Sequence, residues 1–232
     1  MTEAIPFSET RDLSTIRMTP TSLQLTTMKI VLGETEISLT GPLEWQDSGP
    51  RLSYWWQPTA AAIALAVHLL GVGSLAQKRV LDLGCGLGLS GIAAGLAGAD
   101  VVFMDAEATA IDFARYNASC NGLSLDRADF SASDWEDVVQ MGSFDFVIGS
   151  EILYDYFSHG DLINFIQAHV ADDGSVVLAD RKRLCVSRFL GRMRDKGFHC
   201  NEQVVTSSKV GFPIHQIGIF ELKPSKSLDE IT

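Results

Sequence analysis

Four groups of residues in this 232-residue chain have types and spacing suited to chemistry. The first is Asp82-Leu83-Gly84-Cys85-Gly86-Leu87-Gly88, an acid two residues ahead of alternating glycines. A backbone without Cβ atoms can pass close to a ligand, and the free N–H groups of a following helix face the same place, so a nucleotide belongs at this turn. The second is Asp105, ending the apolar run from Ala99 to Met104, where a carboxylate can accept both ribose hydroxyls of an adenosine group. The third is Asp134-Trp135, an acid beside a large flat ring. The fourth is Ser150-Glu151-Ile152-Leu153-Tyr154, which follows the apolar run Phe144 to Gly149 and sets a carboxylate three residues from a phenol.

Two nucleotide classes compete for the glycine turn. Gly86, Gly88 and Gly91 satisfy the G-x-G-x-x-G dinucleotide pattern, with Asp105 about 20 residues on. Against a pyrophosphate stands Asp82, whose charge would sit close to the anion site; a carboxylate there suits a cationic ligand. The string from Asp82 to Gly88 resembles the first motif of class I S-adenosylmethionine-dependent methyltransferases, in which the acid helps hold the methionine end and the glycines admit the cofactor. In that family an acid after the third strand contacts the adenine amino group, which gives Asp134 this place and lets Trp135 cover the base. Asp134 also reads as an N-cap for a helix from Trp135 to Met141.

The segment after strand four decides the subclass. An N-P-P-Y motif is absent, and Glu151 to Tyr154 resembles the acid-x-x-Tyr motif of the seven-β-strand protein-lysine methyltransferases, the methyltransferase-16 group. The resemblance runs from about Leu23 to Leu222. It implies S-adenosyl-L-methionine as cofactor, held by Trp56, Asp82, Gly84, Gly86, Gly88, Asp105, Asp134, Trp135 and Ser150. It further implies catalytic roles for Glu151 and Tyr154, which would position the amine of a lysine side chain on a protein substrate. Two departures stand out: Glu151 occupies a position that is commonly Asp, and Trp55-Trp56-Gln57-Pro58 matches the family's tryptophan segment only loosely. Small-molecule N-methylation is the alternative within the class. An NAD(P)-dependent oxidoreductase and a catalytically silent binding module are the alternatives outside it.

The elements that must position these groups follow from pattern and punctuation. LQLTTMKIVL, Gly33-Glu34 and TEISLT read as short strands around a turn, an N-terminal hairpin outside the main sheet, with Gly41-Pro42 and Ser48-Gly49-Pro50 marking a loop. Thr59 to Leu70 reads as a helix capped by Thr59, apolar nearly all round and therefore buried. Trp55 and Trp56 just before it either pack under the sheet or line the cofactor mouth, where an indole face suits a cation; their position favours the mouth. Strands are expected at Arg79–Leu83, Ala99–Met104, Arg127–Phe130, Phe144–Gly149 and Gly174–Ala179. Helices are expected at Ser90–Ala97, Ala108–Asn121, Asp161–Ala171 and Val186–Lys196, and Phe198–Val205 and Ile214–Leu222 form a closing antiparallel pair. Alternation alone implies a doubly wound, Rossmann-like α/β domain. The resemblance supplies seven strands in the order 3-2-1-4-5-7-6, with strand seven antiparallel. The domain expectation is an N-terminal segment with a hairpin at 1–50, a methyltransferase domain at 51–223 and a polar tail at 224–232.

Composition narrows the partners. A net charge of −11 argues against general nucleic-acid binding. The charge is polarised: 17 acids face three bases between Arg79 and Asp180, whereas Arg181 to Lys223 holds nine bases and three acids. The acidic half would draw in a cationic group such as a lysine ammonium. The cluster Arg181-Lys182-Arg183 follows strand five, from which members of the family that the chain resembles reach toward substrate, although most of these charges read as a solvated basic face. Cys85, Cys120, Cys185 and Cys200 form no C-x-x-C pair, which implies reduced, mostly buried thiols and no metal site. With no membrane-length apolar run and no signal-like start, the expectation is a cytoplasmic protein, monomeric and free of membrane contact.

Overall fold

In a computed structural model of the chain, residues 24–44, 54–137, 139–207 and 215–225 are described. The expectations for Met1–Thr21, Ser48-Gly49-Pro50 and the Gly211-Phe212-Pro213 connection lie outside them.

The first described element is the expected hairpin: β1 (Leu25–Leu32) pairs antiparallel with β2 (Thr35–Pro42) around Gly33-Glu34. Gly41-Pro42 belongs to β2 rather than to a loop, because the ladder runs on to pair Leu25 with Pro42. Helix α1 (Ala60–Gly71) follows, and the Thr59 hydroxyl accepts the N–H of Ala62 at 3.1 Å, as an N-cap should. It buries a stripe of Ala61, Leu65, Ala66 and Leu69, while Val67 stays half exposed. The expected all-round burial is therefore too broad, since one face of α1 meets no other layer.

The main sheet is built from β3 (Arg79–Leu83), β4 (Asp100–Asp105), β5 (Ala128–Ala132), β6 (Phe144–Ser150), β7 (Val170–Arg181), β8 (Phe198–Ser207) and β9 (His215–Pro224). Its order is β5-β4-β3-β6-β7-β9-β8. Strands β3 to β7 are parallel, and β9 runs antiparallel to both β7 and β8. This is the expected seven-stranded order with its reversed last strand, not an all-parallel six-stranded sheet.

Helices α2 (Leu89–Leu96) and α3 (Ala108–Cys120) join α1 and the hairpin on one face of the sheet, and α4 (His159–His169) and α5 (Leu184–Asp195) pack on the other. From Val80 to Leu83 the central strand β3 is buried on both faces, with Val80 in one apolar cluster and Leu81 and Leu83 in the other. That explains why its sequence reads as a continuous apolar run. The stretch after β5 forms a turn rather than the expected helix. Asp134 donates its N–H to Asp137 and accepts from Glu136, which ties the chain into a local side-chain turn that competes with helix.

The free thiols are less buried than expected, with Cys85 alone in the core and the other three half-buried. Among the described residues no helix is long and apolar enough to cross a membrane.

Candidate active site

In open parallel sheets ligands bind beyond the carboxyl ends of the strands, where the strand order reverses. Here that point lies between β3 and β6, which pair Leu83 with Gly149, so the glycine turn and the segment after β6 leave the sheet side by side. Gly84 and Gly86 both have positive φ, 61° and 54°, a backbone that other residues adopt only with strain. A Cβ on Gly84 would stand 2.8 Å from Ile152, and one on Gly86 would stand 2.8 Å from the carbonyl oxygen of Trp55. At both positions the close approach is made by the protein's own chain. Gly88 caps α2 with φ 88°, and a Cβ there would press on Ala114 at 3.3 Å.

Two acids frame the turn, Asp82 buried and Asp105 half-buried. Asp82, 2% exposed, accepts the N–H of Gly91 at 2.8 Å and so fixes the first turn of α2 from beneath. Burial pushes its pKa up to about 7. Asp105 accepts the N–H groups of Gly86 and Glu107, each at 2.9 Å, and burial pushes it up to about 6. A carboxylate offers about four lone-pair sites, so two remain for a pair of hydroxyls. Asp134 lies near enough to act on the Asp105 charge, and the Ser133 N–H bonds to the Asp105 carbonyl, which brings the ends of β4 and β5 together. The Trp135 ring lies 3.9 Å from where a Gly84 Cβ would stand, and its buried indole N–H meets no acceptor among the described residues.

Trp55 commits its ring to the core, 5.8 Å from Phe113, whereas Trp56 is half-buried at the margin of the same cluster. Of the two expected places for these rings, Trp55 takes the one against the core.

Ser150 closes β6 opposite Ala179. Glu151 follows with φ 55°, a left-handed conformation unusual for a residue with a Cβ, and its N–H is held by the Ala179 carbonyl at 2.9 Å. Its carboxylate, 12% exposed, accepts from Arg181 Nε at 3.0 Å and also contacts Arg183, which lies 2.9 Å from the wholly buried Asp180. Lys182 pairs with Glu202. Arg181 and Lys182 are exposed, as a solvated basic face requires, yet each of the three bases also meets an acid, two of them Glu151. Tyr154, three residues on, is half exposed.

Two residues that carry no sequence signal hold this segment. Asp180 accepts the N–H of Leu153 at 3.2 Å, and His159 Nε2 bonds to the Leu153 carbonyl at 3.0 Å. The second bond requires a proton on Nε2, and burial, which lowers the His159 pKa, favours the neutral tautomer that carries it there. Asn117 and Asn121 on α3 are a further pair beyond the reach of pattern. Asn117 bonds to both backbone groups of Thr40 and to the Leu87 carbonyl, and Asn121 to both backbone groups of Ser38. Their side chains thus extend the β2 ladder and tie the hairpin to the glycine turn.

The reversed β9, the glycine turn and the acids ending β4 and following β5 define a class I S-adenosylmethionine-dependent methyltransferase. A similarity search among solved structures agrees on the fold. A T. thermophilus 16S rRNA methyltransferase in complex with AdoMet and guanosine superposes with a TM-score of 0.62 at 17% identity, over 88% of this chain and 51% of its own. Magnesium protoporphyrin IX methyltransferase from Synechocystis with bound SAM gives 0.55 at 18% identity, over 76% and 86%.

The lysine methyltransferase family matches residues 42–199, and the chain belongs to that family. Curated relatives include a histidine protein methyltransferase 1 homolog from Dictyostelium discoideum, 35% identical over 46% of this chain and 36% of its own length. Protein N-lysine methyltransferase METTL21A from Xenopus tropicalis is 32% identical over 58% of this chain and 62% of its own. EEF1A lysine methyltransferase 3 from Mus musculus is 28% identical over 71% and 70%. The chain thus spans about a third of the first of these relatives and three-fifths of the second.

Proposed function

We propose that this protein transfers a methyl group from S-adenosyl-L-methionine to a lysine side chain of a protein substrate. The observation that carries the reading is the contact of Ile152 with Gly84, which seats the Glu151–Tyr154 segment directly against the cofactor turn. The residues present fit the cofactor: Asp105 has lone pairs left for ribose hydroxyls, Asp134 offers an acceptor for an amino group, and Trp135 offers a flat face and an unmet N–H. When bound, this cofactor supplies an electrophilic methyl group on a positive sulfonium. Asp82, Gly84, Gly86 and Gly88 shape the turn for the methionine end, Ser150 borders it, and Trp56 flanks the mouth.

Methyl transfer needs a neutral amine, yet lysine has a pKa near 10.4. A bare carboxylate beside the amine would hold it charged. Glu151 is already paired with two guanidiniums, so it accepts a hydrogen bond from the amine while stabilising the ammonium less. Tyr154 positions the same nitrogen by its hydroxyl or ring face, in line for attack. The relative named as a histidine protein methyltransferase favours a second reading, in which the acceptor is an imidazole nitrogen.

The test is methylation of a cell lysate by wild type, Glu151→Ala and Tyr154→Phe, with mass spectrometry of the labelled residues and calorimetry with S-adenosylhomocysteine and NADH. Label on a protein lysine that disappears in Glu151→Ala while S-adenosylhomocysteine still binds is the expected result. Label on histidine supports the second reading. Label confined to small molecules overturns both, and binding of NADH alone removes the methyltransferase.

A further inference from the structure

Beyond Tyr154 the surface is unusually apolar for the outside of a domain. Phe157 is 91% exposed, Tyr156 is 45% exposed, and Leu184, the first residue of α5, is 70% exposed. Tyr156 and Phe157 form the aromatic part, and Leu184 begins the helix whose Arg188 reaches it. The rings of Tyr156 and Phe157 meet edge to face at 6.0 Å, and the Arg188 guanidinium stands 5.4 Å over the Tyr156 ring. Leu184, Arg188 and Arg192 recur every four residues on α5 and so share one face. Arg192 Nη2 lies 3.5 Å from where a Gly160 Cβ would stand, which brings this face to the start of α4.

The patch is therefore aromatic and aliphatic at its centre and basic along one side. No ion pair between described residues engages Arg188 or Arg192. The nearby acids are Asp155, which accepts the Phe157 N–H at 2.9 Å, and Asp161, exposed in the first turn of α4; neither is ion-paired with these arginines among the described residues. Elsewhere the chain is strongly acidic, with a net charge of −11, so unpaired arginines beside exposed rings mark a place where negative charge on a partner is welcome. The net charge of −11 would also repel a phosphate backbone, which disfavours a nucleic acid.

We propose that this patch docks the substrate protein through an apolar side chain seated on Tyr156 and Phe157, flanked by acidic residues that meet Arg188 and Arg192, with the acceptor presented at Tyr154. The inference rests on the methyltransferase reading above and adds a substrate class to it: a protein segment whose methylated residue lies next to apolar and acidic neighbours. Large exposed apolar groups rimmed by polar ones are what interfaces leave visible on a free protein, and aromatic and arginine side chains dominate their energetics.

The experiment measures fluorescence anisotropy of three labelled probes against protein saturated with S-adenosylhomocysteine. The probes are a lysine peptide bearing leucine and glutamates, the same peptide with arginines in place of the glutamates, and single-stranded RNA. The wild type should bind the acidic peptide most tightly. Phe157→Ser and the double variant Arg188→Glu, Arg192→Glu should each weaken that binding about tenfold. The charge reversal should also favour the arginine peptide, while calorimetry shows S-adenosylhomocysteine binding within twofold of wild type. Equal binding of the two peptides overturns the proposal, as do tighter binding of RNA, no binding of either peptide, or variants indistinguishable from wild type. Failure of the methyltransferase reading itself is separate, since it would appear as no binding of S-adenosylhomocysteine by the wild type.

Discussion

The carboxylate of Asp180, wholly buried at the end of β7, accepts the N–H of Leu153 at 3.2 Å in the segment after β6. With His159 on the carbonyl of the same residue, Leu153 is held at both backbone groups, and the directions of Glu151 and Tyr154 on either side are set by it. Removing Asp180 leaves a buried N–H without its acceptor and Arg183 short of one counter-charge. Asp180→Ala should cost about 2 to 4 kcal/mol in denaturant unfolding. It should also reduce methyl transfer far more than it reduces affinity for S-adenosylhomocysteine. Equal losses in both would show that Asp180 supports the cofactor turn instead.

Asp105 joins the glycine turn to β4 through Gly86 and keeps lone pairs for a ligand. Asp105→Ala should weaken binding of S-adenosylhomocysteine by about 1.5 to 3 kcal/mol, the scale of losing hydrogen bonds to a charged acceptor. Calorimetric titration reads this directly, and an unchanged affinity would mean that the ribose lies elsewhere.

Burial raises Asp82 to about 7 and Asp105 to about 6, and the two consequences have opposite sign. The ionised carboxylates are the forms that attract a cation and accept hydroxyls. Affinity for S-adenosylhomocysteine should therefore fall as pH drops below about 7, by up to about tenfold per unit for each proton taken up. Without ligand, the native state holds these protons at pH values where the unfolded chain, with carboxyl pKa values near 4, has lost them. Their contribution to stability is thus complete below about pH 4 and is lost as pH rises through 6 to 7. Thermal unfolding across this range checks the second slope, and Asp82→Asn should flatten it.

Asn117 is wholly buried and spends its side chain on Thr40 N, Thr40 O and Leu87 O, at 2.8, 3.0 and 3.0 Å. Asn117→Ala should destabilise the protein by about 2 to 4 kcal/mol, because one buried and two part-buried backbone groups lose a partner or are left half-satisfied. Limited proteolysis should then cut within β1 and β2 first. A hairpin that stays resistant would show that Ile37 and Leu39 alone hold it.

The class of fold and most of its elements were legible in the sequence, because each signal is local. Alternating glycines after Asp82, the Thr59 cap, Gly33-Glu34 between two β-rich runs and the continuous apolar strand Val80–Leu83 each depend on neighbours a few residues away. The acids at the ends of β4 and β6 were legible for the same reason, since a strand of known length delivers its last residue to a known edge. The helix expected from Trp135 failed locally, because Asp134 and Asp137 offered the backbone a competing turn.

What the sequence by itself determined is the set of groups at the carboxyl edge. Only the tertiary structure decided their company. Glu151 and Arg181 are 30 residues apart and meet because β6 and β7 are paired, which made part of the basic cluster a partner of the acid. Asn117 reaches Thr40 across 77 residues, Asp180 reaches Leu153 across 27, and Trp55 left the mouth for Phe113. The physical reason is common to all four: a polar or aromatic side chain that loses its water must find a partner in three dimensions, and no spacing along the chain states which one will be within reach.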